Sequence, residues 1–155
     1  MKKCIIILIV VFMFGCESRY KDIERGKFRD PIVVDNESKI KTFKAFHRAG
    51  HFRDGVTYVR LTSDSSKAFS ADWRDDDRYT LSTSDSMKAK ERLLFNHGKL
   101  NDYTNEVHNK AWIPDAFIPH EEWNFGFSED HLLRLITVGE DTETGIEYLY
   151  MVILQ

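Results

Sequence analysis

The chain has 155 residues, with 22 Lys and Arg against 25 Asp and Glu and a formal net charge of -3. One domain is the economical reading of that length, and a chain of this size buries roughly two-thirds of its unfolded surface. The mildly acidic balance, without any long Lys/Arg block, argues against a nucleic-acid partner and gives no electrostatic help in lying flat on anionic lipid.

Lys2 and Lys3 form a short basic start, Ile5 to Phe14 an unbroken apolar run, and Gly15 places a small residue just before Cys16. That is the layout of a secretory signal peptide. A bilayer-spanning helix needs about 20 predominantly apolar residues, whereas Glu17, Arg19 and Lys21 follow Cys16 at once. The segment Met13-Phe14-Gly15-Cys16 resembles the lipobox of bacterial lipoproteins. The resemblance implies a signal peptide over residues 1–15, a diacylglyceryl thioether on Cys16, cleavage just before it and acylation of the new amino terminus. The membrane partner is then reached through lipid on Cys16, with two or three acyl chains making a stable anchor. Glu17 after the cysteine points, on the same resemblance, to the outer membrane, the domain facing the periplasm or the cell surface. The resemblance implies that Cys4 leaves with the signal and that Cys16 is blocked, so stability is expected from an ordinary core without a disulfide.

Residues 16–30 alternate in charge and read as a tether, because so few apolar groups cannot offset the cost of ordering. Tyr20, Ile23 and Phe28 are its only means of docking on the domain, which is expected to cover 31–155. Pro31 to Val34 suits an edge strand, with proline at its first position. Asp35 or Asn36 then caps a helix in which Ile40, Phe43, Phe46 and Ala49 recur every three residues before Gly50. Asp54-Gly55 marks a turn, and Val56 to Thr62 is a strand rich in Val, Tyr and Thr.

Ser82-Thr83-Ser84-Asp85 fits a capping box. It opens a helix through Met87, Leu93, Leu94 and Phe95 that stops at Gly98, followed by a second period at Leu100, Tyr103, Val107 and Ala111 closed by Pro114. The runs 131–138 and 146–154 flank a polar, glycine-bounded loop and predict a hairpin. Both strands are apolar on both faces, as in a covered sheet. The expected fold is α+β: an antiparallel sheet including this C-terminal hairpin, with two or three short helices packed on it.

Chemistry is hard to find. His47 and His51 would share one helix face, as zinc ligands do, but Gly50 interrupts the helix and no third ligand is fixed nearby. His120-Glu121-Glu122 lacks the second histidine of a metalloprotease helix. Asp72, Asp75, Asp76 and Asp77 crowd oxygen ligands around Trp73, yet the glycine turn and distant Glu of a calcium loop are missing and Arg74 and Arg78 supply counter-charge. His97 is accounted for by the positive charge a helix C-terminus favours. Neither a Gly-x-Ser-x-Gly elbow nor a phosphate-binding glycine loop is present. No metal, cofactor or catalytic residue is therefore expected.

The remaining feature is the segment 112–127, in which Trp112, Phe117, Trp123, Phe125 and Phe127 are stiffened by Pro114 and Pro119. Aromatic groups of this kind serve as partner contacts or as a cover for the sheet. The leading expectation is a lipid-anchored envelope protein acting as a protein-binding module, a class to which inhibitors and immunity proteins belong, with those five aromatics as candidate contacts. The alternatives are a small hydrolase using His47, His51 or His120 with Asp54 or Glu121, and a structural or lipid-handling envelope component.

Overall fold

A computed structural model of the chain describes residues 20–28, 37–50, 55–69, 79–80, 83–127 and 132–154. The signal segment, Cys16, the expected strand at 31–34, His51, Asp54 and the acidic loop around Trp73 lie outside the described residues. The fold is α+β. Among the described residues, strands β1 (Tyr20–Asp22), β2 (Thr42–Ala49), β3 (Gly55–Ser63), β4 (Tyr79–Thr80), β5 (Phe117–Phe127), β6 (Leu132–Asp141) and β7 (Ile146–Leu154) form one sheet, with one long helix, α1 (Thr83–His108), packed on a face of it. All pairings are antiparallel, in the spatial order β1-β2-β3-β7-β6-β5-β4. Two meanders thus join edge to edge at β3 and β7.

The C-terminal hairpin forms as its pattern requires. Gly145 adopts the left-handed conformation at φ 69°, and its N–H returns to the Asp141 carbonyl at 2.8 Å. The Asp141 carboxylate closes the loop by accepting from Glu143 N–H at 3.1 Å and Thr144 Oγ1 at 2.7 Å. Side chains of a strand alternate between faces, and here both faces are apolar because both are covered. On one side Ala45, Val59, Leu61, Trp123, Ile136, Val138, Leu149 and Met151 form a core completed by Phe69, Ile23, Phe28, Ile40 and Phe43. On the other, Phe46, Tyr58, Tyr150, Val152 and Phe117 lie against Leu93, Leu100 and Tyr103 of α1.

That two-sided burial corrects the helix expected over 40–49. Phe43 and Phe46, three residues apart, imitate a helical stripe, but in β2 they serve opposite faces. The continuous register from Thr42 opposite Thr62 to Ala49 opposite Gly55 holds the segment as a strand.

The two short helices expected between 83 and 111 are one helix of 26 residues. Gly98 does not stop it: a mid-helix glycine costs about 1 kcal/mol, less than the packing of a continuous stripe. Ala89, Leu93, His97, Leu100 and Thr104 make that stripe, all buried at the three-and-four spacing of one helical face. The helix ends at Asn109, which is left-handed at φ 50°, while Lys110 N–H reaches back to the Thr104 carbonyl at 3.4 Å. Along its length α1 crosses the sheet from β5, where Arg92 pairs with Glu122, to β1 and β2, where the Tyr103 ring meets Tyr20 and Phe46.

The charged stretch after Cys16 is not wholly a tether. Tyr20 to Asp22 pairs with β2, Ile23 N–H donates to the Ala45 carbonyl at 2.9 Å, and Ile23 and Phe28 pack on the core. Three apolar groups at that spacing suffice to dock nine residues of the segment.

Candidate functional site

The aromatic segment proposed as a contact surface is mostly core. Trp112, Phe117 and Trp123 are each at most 1% exposed, which removes their side chains from any partner's reach. Residues 117–127 form the strand β5 rather than a loop, and Phe117 and Trp123 contribute to opposite faces of the sheet. The backbone of Phe125 and Phe127 continues β5, but their side chains lie outside the described part. Of the segment's large apolar groups, Ile118 stands half exposed. Pro119 sits at a bulge, where the register jumps from Pro119 opposite Gly139 to Glu121 opposite Val138. A bulge tolerates a residue without a backbone donor.

Trp112 is the centre of a polar node beneath α1. Its indole N–H donates to His97 Nδ1 at 2.9 Å, and its carbonyl accepts from Tyr150 Oη and Arg60 Nη1, both at 2.9 Å. Burial pushes the His97 pKa down to about 3 and holds that of Tyr150 well above its usual value. The histidine is therefore neutral, with its hydrogen on Nε2. Its role is structural, inside the helix rather than at a helix end.

The other histidines do not assemble. His47 Nδ1 lies 3.1 Å from Thr57 Oγ1 across β2 and β3, with its ring over Gly55. An added Cβ at Gly55 would meet His47 Cε1 at 2.5 Å, so the imidazole would have to swing aside. His120 approaches Glu147 at 3.5 Å, and the other oxygen of this buried carboxylate accepts Phe69 N–H at 2.8 Å. The carboxylate next to His120 in sequence is Glu121; the one beside it in space is Glu147, two strands away. No group of three metal-ligating side chains occurs among the described residues.

What sequence reasoning missed is the outer face of α1. Phe95 is 89% exposed and Met87 73%, with Leu94 partly exposed between them. Lys88, Glu91, Arg92 and Asn96 surround Phe95 along a shallow groove. The sequence pattern places Met87, Leu93, Leu94 and Phe95 on one helix without separating an inner from an outer side. The signal that separates them is the spacing of Ala89, Leu93, His97, Leu100 and Thr104, obscured because a histidine and a threonine occupy core positions.

No described helix is long and apolar enough to cross a membrane. Compared with protein-family models, with curated proteins and with solved structures, the chain matches none of them.

Proposed function

We propose that this chain is a lipid-anchored bacterial envelope protein, tethered through Cys16, whose domain binds another protein through the outer face of α1. The observation that carries the binding reading is the exposure of Phe95 and Met87 on a helix whose opposite stripe is fully committed to the core. Large apolar groups clustered on an otherwise charged surface mark interaction sites. The flanking Lys88, Glu91, Arg92 and Asn96 are polar and mixed in charge, so the complementary partner is an apolar socket with a polar rim. The anchoring half rests on the signal-like start and the Met13-Phe14-Gly15-Cys16 sequence.

The test is crosslinking in intact cells, followed by mass spectrometry, on the native chain, a Cys16→Ser version and a Phe95→Glu, Met87→Glu version. The expected result is one recurrent protein partner that is lost with the two glutamates, while both folded proteins accumulate equally. A partner retained in that variant would overturn the α1 surface. A native protein whose mass carries no acyl increment, and which fractionates with the membrane no more than Cys16→Ser, would overturn the lipid anchor.

A further inference from the structure

Where the last turn of α1 meets β2 and β3, a cavity of about 310 Å³ lies between Lys44, Phe46, Arg60, His108, Lys110 and Trp112. Small-ligand sites begin at about that volume. Three basic side chains, Lys44, Arg60 and Lys110, share this lining with one carboxylate, Asp22. Two positive charges are thus left over in a chain that is acidic as a whole. Among the described residues none of the three cations has a carboxylate within ion-pair distance.

Arg60 is fixed rather than loose. Its Nη1 donates to the Trp112 carbonyl at 2.9 Å, its guanidinium carbon lies 4.8 Å from the centre of the Trp112 ring, and its Nε is buried without a hydrogen-bond partner. A guanidinium held by a carbonyl and a ring face keeps its full charge, because neither partner neutralises it. Beside it the Phe46 and His108 rings, 6.3 Å apart, give the cavity an aromatic wall, with Trp112 buried behind Phe46. The negative end of the α1 dipole works against an anion here. It amounts to roughly half a charge and fades within one turn, less than the surplus of the three cations.

We propose that this cavity binds a small organic anion with a flat apolar body. The oxygens of its carboxylate or phosphate lie against Arg60, Lys44 and Lys110, and its body lies against Phe46 and His108. Gathering like charges beside a low-dielectric wall is unfavourable when the site is empty and favourable once an anion enters. The attraction weakens with salt, since Lys44 and Lys110 are exposed at the rim. This site lies apart from Phe95 and Met87 and does not depend on what docks there.

The test is calorimetric titration of the full-length chain in non-ionic detergent with phenyl phosphate and with benzoate. Inorganic phosphate and benzyl alcohol represent the two halves of the ligand. The expected result is one-to-one binding of at least one aryl anion, with each half binding at least roughly tenfold more weakly. Which aryl anion binds distinguishes phosphate from carboxylate. The Lys44→Glu, Lys110→Glu variant should lose at least about tenfold in affinity with its melting temperature unchanged; if that pair lowers the melting temperature, Lys44→Gln with Lys110→Gln replaces it. Failure of both aryl anions to saturate at millimolar concentration, or unchanged affinity in a folded variant, would overturn the site. Inorganic phosphate binding as tightly as phenyl phosphate would overturn the organic body.

Discussion

The indole of Trp112 donates its hydrogen bond to Nδ1 of His97 at 2.9 Å, tying the first residues after α1 to the middle of that helix. The bond requires a neutral imidazole, because a protonated ring has no acceptor to offer. Burial supplies that neutrality by holding the folded pKa near 3, against about 6.5 for an exposed ring. Between those values the unfolded chain binds a proton that the folded chain does not. The contribution of His97 is therefore fully present above pH 6.5 or so and is lost as pH falls, by about 1.4 kcal/mol per unit. Urea unfolding at pH 7 and pH 5 should show that loss in the native chain and its absence in His97→Gln, whose side chain has no proton to gain there. Equal pH dependence of the two proteins would contradict it.

Glu147 is a second buried polar anchor, joining β7 to the chain beyond β3 through Phe69 N–H. Glu147→Leu leaves that N–H without its acceptor and should cost about 1.5–3 kcal/mol, the range for a buried hydrogen bond to a charged group. Glu147→Gln keeps an accepting oxygen and should cost less. Chemical denaturation of both variants measures the difference, and equal stability of the two would remove the carboxamide's distinction from leucine.

Gly139 tests the packing of β5 on β6. An added Cβ would overlap the Ile118 carbonyl oxygen and stand 2.6 Å from Phe117 Cζ, and the backbone oxygen cannot swing away as a side chain can. Gly139→Ala should cost about 1–3 kcal/mol or more, the range for overpacking. Gly98→Ala, with open space at its Cβ, should instead stabilise by about 1 kcal/mol through helix propensity. Thermal melting of the two alanine variants should therefore move in opposite directions.

The register of α1 is checked by substitutions on its two sides. Phe95→Ser and Met87→Ser should change stability by no more than about 0.5 kcal/mol, as surface positions do. Leu93→Ala and Leu100→Ala should cost about 2–5 kcal/mol each. A large loss at Phe95 would mean that the helix turns a different face to the sheet.

The sequence by itself determined the parts of the fold whose information is local. The hairpin was legible because two apolar runs flank a loop ending in Gly145, which the left-handed turn requires. The strand at 55–63 was legible from its β-branched and aromatic content, and the α+β class from these elements together. Tertiary structure alone decided the rest. β2 reads as a helix until both faces of the sheet are known to be covered, because burial on two sides erases the alternation that marks a strand. α1 reads as two helices until the sheet rewards its continuity through Gly98. The aromatics Trp112, Phe117 and Trp123 read equally as contacts or core, since aromatic content cannot say which side of a chain faces water. The cavity was beyond any local pattern: Lys44, Arg60 and Lys110 come together only because β2, β3 and the end of α1 converge, and charge convergence is a property of three-dimensional placement.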